Sequence, residues 1–299
     1  MSVLIVGSTA LDSIATPKAK RPRLLGGSAS HASVAASFFS PVNLVGVVGD
    51  DFPKAYLELY RRHKINLDAL QILPGKTFHW AGEYEVNMNN RRTLKTELGV
   101  FETFSPDLPD SLRSVPYVLL ANIAPSLQHH VLDQMRKPKF VVADTMDLWL
   151  NTARADLLKL LRRIDALVLN DSEARLLTGD DHLISAAQKI HRLGPDYVII
   201  KKGEHGSFLS SPRGNFLAPA FPLRKLVDPT GAGDSFVGGL IGYLASCRGS
   251  IQTNLRRAII YGTAVASFCC EGFGLSRTTE INRRDIDRRV KLIEKLVRF

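Results

Sequence analysis

The chain has 299 residues, 45% apolar and 23% charged, a composition that excludes wholesale disorder, a collagen repeat and a disulfide scaffold. Thirty-nine Lys and Arg against 29 Asp and Glu give a net charge of +10, but the basic residues are dispersed except for a run from Arg283 to Arg298. In that run Ile286, Val290 and Ile293 recur at helical spacing, which predicts a surface helix with a solvated basic face, and no nucleic-acid partner is expected.

The opening residues Met1–Gly7 have no basic segment ahead of their apolar run and read as a buried strand, not a secretion signal, which predicts a cytoplasmic protein. No apolar run reaches the roughly 18 residues of a membrane span, so no membrane partner is expected. Continuous apolar runs predict strands at 3–6, 42–48, 117–121, 140–143, 166–169 and 197–201. Helical patterns fall between them, at 29–39, 53–63, 126–136, 151–163 and 183–193. This alternation predicts a parallel sheet covered on both faces, a three-layer α/β/α domain spanning the chain. From about residue 233 the pattern turns helical, near 233–247, 252–270 and 282–297. Two stretches break the alternation. Residues 12–25 are polar and punctuated by prolines, and 76–104 hold β-favouring residues around an Asn87–Asn90 turn signal. Together they predict a small β lid whose exposed sheet offers a route to a homodimer. The three cysteines, Cys247, Cys269 and Cys270, form no metal or redox pair and suit a reducing compartment.

Two phosphate-binding motifs fail. Gly75-Lys76-Thr77 resembles the end of a P-loop, but the first glycine would have to be Leu70. A dinucleotide GxGxxG fails at Gly231-Ala232-Gly233-Asp234-Ser235-Phe236, because Phe236 stands at the third glycine. That same segment, Asp228 to Gly239, is nevertheless the most informative in the chain. Unpaired amides of Gly231, Ala232 and Gly233 at a predicted helix N-terminus would make an anion site. The adjacent Asp234 either caps the helix or serves as a general base facing a transferring phosphoryl group.

The run Asp-Pro-Thr-Gly-Ala-Gly-Asp-Ser-Phe at 228–236 resembles the signature of the ribokinase-like, phosphofructokinase-B type of carbohydrate and nucleoside kinases. Four further segments match in the family's order: Gly26-Gly27, Val45 to Phe52, Asn170 to Glu173, and Lys202 to Gly206. The resemblance implies an ATP-dependent kinase acting on a hydroxyl of a nucleoside, sugar or polyol. It implies Asp234 as base and the Gly231, Ala232 and Gly233 amides as anion hole. It implies Asp12, Gly26, Gly27, His31 and the lid residue Arg92 around the small-molecule acceptor. Asn170, Lys201, Gly203, Gly206 and Gly272 would face the nucleotide. Asn170 and Glu173 would organise Mg²⁺ through waters, against the alternative that Asn-x-x-Glu only caps a helix. Asp228 and Thr230 are candidates for a K⁺ site behind the anion loop.

Three departures from the family's pattern bear on substrate. His31 stands where relatives have Asn, and Lys201 where many have Thr. Asp144-Thr145-Met146-Asp147-Leu148-Trp149 resembles the D-x-N-x-R-x-x-L-W stretch of keto-sugar and fructose kinases, but Met146 replaces the Asn and the Arg is missing, so its phosphate contact is not carried over. The aromatic residues Phe78, His79, Trp80 and Tyr84, with Met88, offer a surface on which a base would stack. The alternative reading is a non-catalytic relative that binds a ligand or nucleic acid in a regulatory role; the intact Asp234 and glycine loop weigh against it.

Overall fold

The computed structural model describes residues 1–298. After β1 (Val3–Val6) come the hairpin β2 (Ala10–Thr16) and β3 (Ala19–Gly26), then α1 (Ser28–Ser37), β4 (Val42–Gly49), α2 (Lys54–Arg62) and β5 (Ile65–Leu73). A second hairpin, β6 (His79–Tyr84) and β7 (Arg91–Glu97), precedes β8 (Tyr117–Leu120), α3 (Pro125–Gln134) and β9 (Phe140–Asp144). There follow α4 (Asp147–Thr152), α5 (Arg154–Leu161), β10 (Ala166–Asn170), α6 (Asp171–Thr178), α7 (Leu183–His191) and β11 (Tyr197–Lys201). The antiparallel strands β12 (Ser207–Ser210) and β13 (Phe216–Ala218) lead to α8 (Ala232–Ser246), α9 (Ile251–Cys269) and α10 (Arg283–Leu296).

Nine strands form one sheet in the order β13-β12-β11-β10-β9-β8-β1-β4-β5, parallel from β11 to β5. The alternation of side chains along β1 shows why its apolar run is unbroken. Val3 and Ile5 join a core built with α1, α8, α9 and α10, while Leu4 and Val6 join the opposite core with α3, α5 and α7. This is the expected three-layer arrangement. The edge strand β5 was not predicted: its burial is partial and its alternation is broken by Asn66 and Asp68.

The two irregular segments form a separate four-stranded sheet in the order β3-β2-β6-β7, the hairpins being joined through parallel pairing of β2 with β6. It is shorter than the predicted 76–104 segment. Thr77 is buried and held by the Asp51 carboxylate, while Val100 and Phe104 are buried in the main core. No helix among the described residues is long and apolar enough to cross a membrane.

One packing contact positions the site. The Ala- and Ser-rich α1 lies against α8 so closely that a Cβ on Gly238 would overlap the Ala32 backbone, and one on Gly242 would come within 2.7 Å of the Ala36 Cα. Small residues on both helices thus let the N-termini of α1 and α8 converge.

Candidate active site

The segment Asp228–Asp234 runs from a fully buried carboxylate to the first turn of α8. Asp228 accepts the Thr230 amide at 2.9 Å and the Gly274 amide at 3.0 Å, joining the loop to the turn after α9. Cys269 Sγ donates to the Thr230 carbonyl at 3.3 Å. Gly231 caps α8 with φ +76°, a left-handed conformation that favours glycine, and a Cβ there would overlap the His31 ring. The expected set of three free amides is reduced by one. Ala232 N–H donates to the Pro229 carbonyl at 3.1 Å, whereas those of Gly231 and Gly233 have no protein acceptor among the described residues. Two amides therefore remain for an anion at this helix start.

Asp234 is half-buried beside them. Burial raises its carboxyl above the ordinary range, and the charges of Lys201 and Arg91 pull it back. Such a group is a stronger base than an exposed aspartate and is still held toward its ionised form.

Lys201, at the end of β11, crosses toward this turn. Its Nζ donates to Asp144 at 3.1 and 3.3 Å and lies 3.1 Å from where a Gly233 Cβ would stand. Burial pulls its ammonium down, but Asp144, Glu173 and Asp234 outweigh that and leave it above its ordinary value. Asn170 and Glu173 form a reciprocal capping box at the start of α6. Asn170 Oδ1 accepts the Glu173 amide at 2.8 Å, and Glu173 Oε2 accepts the Asn170 amide at 2.7 Å. The capping alternative is thus realised, yet Glu173 remains half of a larger story. Its carboxyl is buried and pushed up to about 7 by that burial, opposed by Lys201. Among the described residues no three His, Cys, Asp or Glu side chains converge as a metal cage.

On the other side, Asp12 of β2 lies over Gly26, where a Cβ would overlap its carboxylate, and accepts a hydrogen bond from the Gly27 backbone. Its carboxyl is pushed up to about 7 by burial, and the charges of Asp234 and Asp228 add to the shift. His31 is buried with Nε2 unpartnered and Nδ1 3.8 Å from Cys269 Sγ; burial lowers it to about 4, so the ring is neutral.

Arg92 does not join this group. Its side chain is 74% exposed and pairs with Glu83 at 2.9 Å. The neighbouring Arg91, on the opposite face of β7, is the one whose charge acts on Asp12, Asp234 and Tyr84. Nor do the lid aromatics act together. Phe78 stacks on Phe101, His79 is held between Ser13 and Glu97, and Tyr84 accepts from Thr230 Oγ1 at 3.0 Å. Trp80, the register partner of Asp12, is engaged too: the Arg91 guanidinium lies over its ring at 5.7 Å and its Nε1 donates to Thr93 Oγ1 at 3.2 Å.

A cavity of about 530 Å³ adjoins the loop. Lys201, Gly203 and Gly206 line one wall and Ala232, Gly233 and Phe236 another; α9 supplies Thr263, Ala266 and Ser267. Gly272 is not part of this wall. It sits in the turn after α9 against Ser276 and Arg277. The cavity reaches the free amide of Gly233, and Asp234 follows directly in the chain, close enough to Asp12 for the two charges to act on each other, a geometry suited to passing an anionic group between two ligands.

The family model for pfkB family carbohydrate kinases matches residues 3–282. The chain belongs to the pfkB family. This pfkB-family chain is 30% identical over 252 residues, 81% of its length, to a cytidine kinase of Thermococcus kodakarensis, covering 88% of that protein. Its fold is similar to that of a nucleoside kinase of Methanocaldococcus jannaschii, with TM-score 0.79, 20% identity and coverage of 97% and 98% of the two chains. It is also similar to an aminoimidazole riboside kinase from Salmonella enterica, with TM-score 0.80, 19% identity and coverage of 97% and 100%. The pfkB-family chain is a phosphotransferase with an alcohol group as acceptor, and its fold is the ribokinase-like one.

Proposed function

We propose that this kinase transfers the γ-phosphoryl group of ATP to a hydroxyl of a nucleoside. The observation that carries the reading is Asp234, half-buried in the first turn of α8 beside the free Gly231 and Gly233 amides, with the cavity on the Gly233 side and Asp12 near enough for their charges to interact. Asp234 takes the proton from the acceptor hydroxyl. The two amides hold charge on the phosphoryl oxygens, the contribution that matters most in a loose transition state. Asp12, whose carboxyl burial pushes up, binds acceptor hydroxyls, and Gly26 leaves room for its carboxylate. Neutral His31 offers its unpartnered Nε2 to the acceptor side. Gly203 and Gly206 line the donor cavity. Glu173, one of whose oxygens is not used in the cap, and Asn170 would hold the waters of a Mg²⁺ ion, which would supply charge neutralisation at the donor phosphates.

The nucleoside assignment is supported by two features. The cytidine kinase relative aligns over most of the chain. Trp80 and the Arg91 guanidinium over its ring lie on the same face of the small sheet as Asp12, a planar surface for a base whose ribose Asp12 holds. In an ADP-release screen with Mg-ATP, nucleosides are expected to turn over well ahead of ketoses, aldoses and inositols. Turnover confined to sugars would overturn the nucleoside assignment, and no turnover with any acceptor would restore the non-catalytic alternative.

Asp228 fits a monovalent cation. Its carboxylate is fully buried, is bonded by two backbone amides, and forms no ion pair with a basic side chain among the described residues. A K⁺ ion beside it and Thr230 would add positive charge behind the loop and steady the Gly231 and Gly233 amides. Adding KCl to a Tris-Mg-ATP assay is expected to raise the rate at constant ionic strength. An unchanged rate would remove the cation from the reading.

A further inference from the structure

The β6–β7 hairpin reaches further than a cover for the acceptor requires. At its base it is tied to the acceptor side and the signature loop: Tyr84 accepts from Thr230 Oγ1 at 3.0 Å, and Arg91 faces Asp12 and Asp234. Its tip lies elsewhere. Asn87, Met88 and Asn89 line the 530 Å³ cavity opposite Lys201, Gly203 and Gly233, which is the donor side. The tip is braced from within. Asn87 Oδ1 accepts the Asn89 and Asn90 amides at 3.0 and 3.2 Å, Met88 N–H donates to the Glu85 carbonyl at 2.9 Å, and Asn90 Nδ2 donates to Glu85 Oε2 at 3.0 Å. Met88 has φ +57°, an uncommon conformation for a residue with a side chain. With Leu226, Met88 also lines a second cavity of about 420 Å³, so these two side chains form the partition between the spaces.

We infer that Met88 is a donor-specificity residue: its thioether side chain packs against the base of the bound nucleotide, so that the lid hairpin completes the donor pocket as well as covering the acceptor. The chemistry suits the task. Gly233, with its free amide, and Lys201 line the cavity and suit the phosphates, which leaves its apolar part, with Leu226, Pro222 and Met88, for the base. A flexible, polarisable thioether fits a flat aromatic surface better than a branched aliphatic chain does. The bracing hydrogen bonds fix the tip without involving the Met88 side chain, which is left to the ligand. The inference rests on the donor-site reading given under Proposed function.

The test separates the base from the phosphates. Binding of the non-hydrolysable ATP analogue AMPPNP and of inorganic tripolyphosphate, each with Mg²⁺, is measured by calorimetry on the wild-type chain, Met88→Gly and Met88→Asn. Both substitutions place residues that accept positive φ, so the turn is kept. Losing one face of packing on the base is expected to weaken AMPPNP roughly tenfold. Tripolyphosphate, which has no base, is expected to bind all three proteins alike. AMPPNP binding unchanged in both variants would overturn the inference, as would an equal loss for AMPPNP and tripolyphosphate, since the tip would then act on the cleft as a whole. A wild-type chain that binds neither ligand would overturn the donor-site reading itself, and the assignment of Met88 with it.

Discussion

Asp234→Asn lowers kcat by roughly 10²–10⁴-fold, the range for loss of a positioned general base, and leaves AMPPNP binding unchanged. The substitution keeps the size and shape of the side chain in the first turn of α8, so the Gly231 and Gly233 amides stay where they are. Its stability cost is also small, by a sign argument. Folding raises the Asp234 carboxyl pKa, chiefly through burial. A carboxyl with a raised folded pKa is ionised less favourably in the folded chain than in the unfolded one, so at neutral pH its charge opposes folding. The neutral amide removes that opposition. Steady-state ADP release, an AMPPNP titration and a thermal melt on the same preparation check all three expectations. Turnover near the wild-type rate would take Asp234 out of the mechanism.

The parts of this site that were legible in the sequence are those written in contiguous residues. Asp228 to Asp234, Gly26-Gly27 and Gly203 to Gly206 owe their positions to local backbone geometry, and a short pattern of glycines and an acid records it. The positions of most parallel strands were legible for a related reason: burial on both faces leaves an unbroken apolar run, as in β9 and β10. What was not legible depends on pairing across the chain. Arg91 and Arg92 are adjacent, and only the register of β7 against β6, shifted by an irregularity between Ala81 and Gly82, decides which one faces Asp12. Had Tyr84 been recognised as inward-facing, its partner Arg91 would have followed from the pairing. The Ala232 amide was counted as free because the turn that gives it to Pro229 is set by the loop's path. The helix α6 was not among the predicted helices, although its capping box at Asn170 and Glu173 was weighed, because a two-turn helix directly after a strand leaves little periodicity to detect. The reach of Met88 into the donor cavity depends on how the small sheet sits on the large one, and no local pattern encodes that.

Lys201→Met is the second variant with a large expected effect, and its outcome separates a catalytic cation from a structural one. In the wild-type chain the ammonium lies between the Asp144 carboxylate and the turn at Gly233. From there it would add positive charge to the phosphoryl group in transit, in a site where burial strengthens the interaction. Loss of one such contact costs kcat roughly 10²–10³-fold. The single variant also strands Asp144, whose side chain is 7% exposed, and breaking a buried pair from one side typically costs about 3–5 kcal/mol of stability. A fall in activity alone is therefore ambiguous. The double variant Lys201→Met, Asp144→Asn removes both members of the hydrogen-bonded pair and is expected to recover part of the melting temperature, the carboxyls of Glu173 and Asp234 still lacking the charge that Lys201 gave them. Turnover should stay low, because the cation is still missing. Lys201→Arg keeps the charge but carries a planar guanidinium into a space only 3.1 Å from the Gly233 Cβ position, so it is expected to fall between the wild type and the methionine variant. Recovery of turnover together with stability in the double variant would show that Lys201 serves only to neutralise Asp144, and the charge on the phosphoryl group would then have to be met by the amides and Arg91.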